Sequence, residues 1–219
     1  MDDYINKFMA CLTEKEREVV EGLNSPFAIQ AFLDSIPYRP EDDNYCALQA
    51  LRERRGHCFD GGLLGAVLLR RLGFPPVIVN LIAEDDDDHI LAIYKVNGNW
   101  GAVAKSNMVG LRFREPIYRS LRELVLSYFE FYYNLDRMKS LRSYTPAIQL
   151  SRFDHYDWMC SNTHTEMLAK KIASYHHYPV IDDQAKANLS PVDDRLYQAG
   201  LLGSDPAGLY DPKKHPKKN

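Results

Sequence analysis

The run HILAIYKV, then Asn97-Gly98, then NWGAVAKS constrains this chain more than any other segment. Both flanks are apolar runs with β-branched and aromatic residues. An Asn-Gly pair suits the two left-handed central positions of a type I′ turn, whose twist matches that of the strands it joins. The segment therefore reads as an antiparallel hairpin. With a two-residue loop, paired residue numbers sum to 195, so Val96 faces Asn99, Lys95 faces Trp100, Ile93 faces Ala102 and His89 faces Ser106. His89, Leu91, Ile93 and Lys95 then share a face with Ala102, Ala104 and Ser106, and the small alanines leave room there for a helix to pack closely.

That helix lies upstream. From Cys58 to Leu72 apolar or small residues occupy nearly every side, which predicts a largely buried helix, and Arg70, Arg71, Gly73 and Pro75 supply its stop signal. PVIVNLIA, too short for a typical helix and rich in β-branched residues, reads as a buried strand. The fold class expected is α+β, with a central helix packed on an antiparallel sheet and further helices on its flanks. Thr13 with Glu16 forms a capping-box pattern for a helix to about Gly22, and Ser25-Pro26 opens another to about Leu33. About Cys46 to Arg54 forms a short helix. About Glu115 to Tyr133 reads as a helix with Pro116 near its start, TPAIQL as one more strand and Thr163 to Tyr175 as one more helix. Residues 1–45 form an N-terminal helical segment, 46–153 the core, 154–204 a C-terminal helical segment and 205–219 a frayed, Lys-rich tail.

Composition narrows the class of partner. The 219 residues are 45% hydrophobic and 26% charged, values ordinary for a folded protein, and the net charge of −3 leaves no basic footprint for nucleic acid. The amino terminus carries no apolar signal region and no run of about 18 apolar residues occurs, so neither secretion nor a membrane span is expected. Cys11, Cys46, Cys58 and Cys160 are scattered and form no CxxC pair, which fits reduced thiols and a cytoplasmic location.

Cys58 stands at the amino end of the central helix, where the dipole and free N–H groups favour thiolate, the nucleophilic form. Gly56, Gly61 and Gly62 remove side chains where a substrate backbone would approach. His89 opens the hairpin. The stretch RRGHCFDGGLLGAVLLRRLGFPP, followed by a strand, DDDDHILAIY, a turn and NWGAVAKSN, resembles the transglutaminase-like core of the papain-type cysteine enzymes over residues 50–107. In that family a Gly-x-Cys opens the central helix, a His begins a later strand, and an Asp or Asn on the next strand orients the imidazole. The resemblance implies Cys58 as nucleophile and His89 as base in acyl transfer or amide hydrolysis through a thioester, on a peptide, protein or small amide substrate. Where the family commonly carries its Asp, this chain has Ala104. The plain ladder brings Ser106 opposite His89, and a one-residue bulge after Trp100 brings Asn107 there instead.

Arg54 to Asp60 is also similar to the related arylamine N-acetyltransferases, and a third reading is a member of the fold that binds a peptide or protein without turning it over. Glu84 to Asp88 reads as a solvated loop, with Asp88 raising the pKa of the neighbouring histidine. Arg112, Arg114, Arg119 and Arg122 suit an acidic substrate or a solvated face equally well. His155, His164, His176 and His177 lack metal-ligand spacing, so no metal or other cofactor is expected.

Overall fold

The computed structural model describes residues 2–211. It opens with α1 (Asp3–Ala10), capped by the Asp2 carboxylate, and α2 (Glu14–Gly22), whose start carries the expected Thr13–Glu16 box. Ser25 caps α3 (Pro26–Ser35), and Cys46 caps α4 (Ala47–Glu53). Helix α5 (Cys58–Arg71) leads through β1 (Val77–Ala83) into the hairpin of β2 (His89–Val96) and β3 (Asn99–Val103). β4 (Arg114–Tyr118), α6 (Leu121–Leu126), β5 (Leu141–Tyr144) and β6 (Ile148–Gln149) follow, then α7 (Thr165–Ala173), β7 (Tyr178–Pro179), α8 (Asp183–Ala187) and α9 (Asp194–Gly200).

The strands form one seven-stranded antiparallel sheet in the order β4-β3-β2-β1-β5-β7, with β6 also paired to β1. The hairpin register runs from Val96 opposite Asn99 to Ala92 opposite Val103, as the sum of 195 requires, and Asn97 and Gly98 take φ values of 50° and 85°. The β2–β3 ladder stops at Val103. Beyond it the Gln30 side chain on α3 takes up both backbone groups of Ala104, at 2.9 Å each, so these stay paired as β3 leaves its neighbour.

The two sheet faces carry different cores. α5 lies over Ile90, Ala92 and Val103, within one large apolar cluster. The face bearing Leu91, Ile93, Ala102 and Ala104 packs instead on Leu111, Leu124, Tyr128 and Tyr132. The expected placing of the helix against the alanine face is therefore reversed. Room for close packing comes from the helix: a Cβ on Gly62 would lie 2.3 Å from Ile90 Cγ2, and one on Gly61 would lie 2.1 Å from Lys105 Cβ. Gly62 thus gives room to β2, and Gly61 to the segment that follows β3. Gly62→Ala should destabilise the protein by about 1–2 kcal/mol in urea unfolding, because overpacking outweighs the gain in helix propensity; a stabilised variant would show that β2 gives way freely.

The segment from Glu115 to Tyr133 is not one helix. Its start belongs to β4, an edge strand where Pro116 costs no ladder bond, and only Leu121–Leu126 is α-helical. β5 and β7 are further strands that the sequence does not predict. Among the described residues no helix is long and apolar enough to cross a membrane.

Candidate active site

The first turn of α5 is locked by a reciprocal cap. His57 Nδ1 accepts from Phe59 N–H at 3.2 Å, and the Asp60 carboxylate accepts from His57 N–H at 3.1 Å. Asp60, fully buried, also accepts from Tyr45 N–H at 2.7 Å and from Arg39 Nε at 3.1 Å. Arg39 is 1% exposed, lies 3.9 Å over the Tyr45 ring and pairs with the Asp43 carboxylate at 2.7 Å. His57 Nε2 donates to the Asp43 carbonyl at 3.1 Å, and burial holds this histidine below its ordinary pKa. The loop before α4 is thus tied to the residues flanking Cys58.

Cys58 is half-buried, and its thiol donates to the Asp88 carbonyl at 3.4 Å, beside Ile90 N–H. The Tyr38 hydroxyl lies against the Cys58 backbone N–H. Burial, followed by the charge of Asp87, pushes the Cys58 thiol up to about 12. This direction is opposite to the stabilisation of thiolate expected at the helix start, and burial is its largest cause.

His89 is buried. Its Nε2 donates to the Leu111 carbonyl at 2.8 Å, and its ring stands edge-on to Tyr132 with centroids 6.4 Å apart. Burial lowers its pKa to about 4, against the opposing pull of the Leu111 carbonyl. The expected upward push from Asp88 is corrected by the same desolvation.

Neither residue proposed as the orienting group reaches that ring nitrogen. Ser106 Oγ accepts from Met108 N–H at 3.0 Å, and the Asn107 amide is engaged twice by the Asp205 backbone, at 2.8 Å each. The place is taken by the carbonyl of Leu111. Among the described residues no hydrogen bond joins the Cys58 thiol to His89, yet both line one cavity of about 60 Å³, together with Tyr38, Asp87, Leu111 and Tyr132. A second opening of about 440 Å³ reaches Cys58 from the side of Arg39, Glu41 and His57.

The acidic segment is a loop with Asp85 and Asp87 exposed, as expected, and it is tied down at several points. Glu84 accepts from Arg142 at 2.9 Å, Asp86 accepts from the Ser140 hydroxyl, and the Tyr132 hydroxyl donates to the Asp87 carbonyl. Arg114 lies 3.9 Å over the Tyr128 ring, Arg122 donates to the Val180 carbonyl at 2.8 Å, and Arg112 pairs with Asp34 at 3.2 Å, so these three hold structure. In the expected frayed tail, Asp205 bonds Asn107 and Gly208 packs on Tyr38; the stretch 212–219 lies outside the described residues. Among the described residues no three His, Cys, Asp or Glu side chains gather as a metal-holding group.

Tyr38, Arg39, Asp60 and Leu111 are the participants that sequence reasoning missed. The Asp three places after His57 was a legible capping signal; a backbone carbonyl such as that of Leu111 has no sequence signature. No family model matches the chain, and a search of curated proteins finds no match.

Proposed function

We propose that the chain is a cysteine-dependent acyl-transfer enzyme with a papain-type, transglutaminase-like core, in which Cys58 attacks a carboxamide or peptide carbonyl and His89 moves the proton. The observation that carries this reading is the shared cavity of Cys58 and His89, with the imidazole held by Leu111. A carbonyl only accepts, so His89 Nε2 carries the proton and Nδ1 keeps the lone pair. With thiol and imidazole both neutral at rest, the S–H bond breaks as the S–C bond forms, and the proton passes to Nδ1. The imidazolium then protonates the leaving amine as the tetrahedral intermediate collapses to a thioester. Water attacking the thioester yields an acid and an amine yields a new amide; either restores the thiol. The Tyr38 hydroxyl and Ile90 N–H, beside Cys58, are the donors available to the oxyanion.

The test is acylation by a p-nitrophenyl ester, followed by intact mass and peptide mapping. The adduct should sit on Cys58, and His89→Ala should slow its formation by about 100-fold or more. An adduct rate indifferent to His89→Ala, or one carried by Cys11, Cys46 or Cys160, overturns the reading. The resting state adds a signature: alkylation of Cys58 by iodoacetamide should rise about tenfold per pH unit from roughly pH 7 to 10, whereas a plateau near neutrality would show a preformed ion pair.

A further inference from the structure

We propose that Cys11 and Cys160 are a reversible disulfide pair, a covalent modification site that fastens the end of α1 to the turn at 157–160 when a small disulfide such as oxidised glutathione takes up the electrons. The proposal stands apart from the chemistry at Cys58.

Both residues are free, half-buried thiols packed against the main apolar cluster, and the Cys160 thiol donates to the Cys11 sulfur. Their backbones are held towards each other by α4. The Arg52 guanidinium of that helix donates to the Cys11 carbonyl at 2.6 Å. At the start of the same helix, Leu48 N–H donates to the Met159 carbonyl at 2.8 Å, and Cys46 N–H donates to Asn162 Oδ1 at 2.7 Å. Arg70 on α5 adds a second tie, reaching Asp2, the cap of α1, at 3.0 Å and Asp154 at 2.7 Å. Two segments far apart in sequence are thus brought side by side at their cysteines, the juxtaposition that a bridge requires. Across the same seam Lys7 pairs with Asp157 at 2.9 Å, but that pair is open to water and contributes little. A covalent bond there would add what the ion pair does not.

The surroundings assign the order of events. Burial first, and then donation to Cys11, pushes the Cys160 thiol up to about 12, so Cys160 keeps its proton while Cys11 serves as acceptor. The Lys7 ammonium is within electrostatic reach of both sulfurs and favours an anion there. As thiolate, Cys11 attacks one sulfur of the small disulfide, whose S–S bond breaks, and the departing thiolate takes up a proton. Cys160 then gives up its proton and attacks the Cys11 sulfur of the mixed disulfide, expelling the second small thiol. Two protein thiols are oxidised and one small disulfide is reduced to two thiols. Cys46 is employed elsewhere: it is 2% exposed, and its Sγ accepts from Gln49 N–H at 3.4 Å as the cap of α4.

The experiment uses the full chain carrying Cys58→Ser, so that the thiol of the candidate site takes no part. The protein is equilibrated at about pH 8 in mixtures of reduced and oxidised glutathione, quenched by alkylation and mapped without reduction. The main oxidised species should be a linked peptide pair containing Cys11 and Cys160. Glutathione on Cys11 should be at least about tenfold less abundant than in the same protein with Cys160→Ser added, where the mixed disulfide has no resolving thiol. The oxidised protein should unfold at a urea midpoint about 0.5 M or more above that of the reduced protein, because the bridge closes a loop spanning most of the chain. Glutathione retained on Cys11 to the same extent in both proteins, or a bridge formed by Cys46 in place of either partner, overturns the pair. A linked species with an unchanged or lower midpoint overturns the fastening of α1. The urea midpoint of each reduced variant is read first, and Cys160→Ala replaces Cys160→Ser if the serine variant does not fold.

Discussion

Asp60→Ala is expected to destabilise the protein by about 3–5 kcal/mol, the scale of a buried ion pair stripped of one partner. The Asp60 side chain is fully buried and Arg39 is 1% exposed, so the guanidinium left behind has little access to water. The Asp43 carboxylate remains, but it sits on a mostly exposed side chain and serves Arg39 Nη1 rather than Nε. The same substitution removes the acceptor of Tyr45 N–H and of His57 N–H, so the α5 cap and the loop before α4 loosen together. Urea unfolding measures the loss. The double substitution Arg39→Met, Asp60→Leu should recover part of it, because removing both charges removes the desolvation penalty. A loss in Asp60→Ala smaller than about 1 kcal/mol would mean that the Arg39–Asp60 contact is not what holds these elements.

Stability should also fall by about 3 kcal/mol as pH drops from above 6.5 to below 4, through His89 alone. Burial lowers the folded-state pKa to about 4, whereas the unfolded chain titrates near 6.5. Between these values the unfolded state binds the proton and the folded state does not, so the slope of stability against pH is positive there. The contribution is complete above 6.5 and is lost as pH falls through the folded value. Urea midpoints from pH 4.5 to 7.5 should show this slope in the wild type, and His89→Gln should flatten it by one proton. Parallel profiles for the two proteins would show that the ring stays solvated and free to charge.

The hairpin was legible because its turn chemistry is local: Asn97-Gly98 dictates both dihedrals and register, and the β2–β3 ladder follows the numbering without a slip. The caps of α2 and α3 were legible for the same reason. What the ladder cannot tell is where it ends. β3 turns away at Ala104, where Gln30, distant in sequence, satisfies that residue's backbone; Ser106 and Asn107 still line the cavity of His89, but their side chains bond Met108 and Asp205 instead of the ring. Tertiary burial likewise decided the two pKa directions. The dipole at Cys58 and the carboxylate at Asp88 are visible in the sequence; the shielding that outweighs both is a property of the packed chain. Pro116 misled in another way, since a residue favoured in the first turn of a helix is equally at home on a sheet edge.

The two-faced sheet also has a mechanical consequence. Cys58 rides on the helix layer that packs over Ile90 and Val103, whereas the His89 ring stands beside Tyr132 with the opposite layer, and the start of β2 is the wall between them. The spacing of sulfur and imidazole is therefore a caliper reading across the sheet edge, set by how thickly each layer is packed. Altering volume at Gly62 on one side, or at the Leu111 side chain on the other, moves one jaw of that gap.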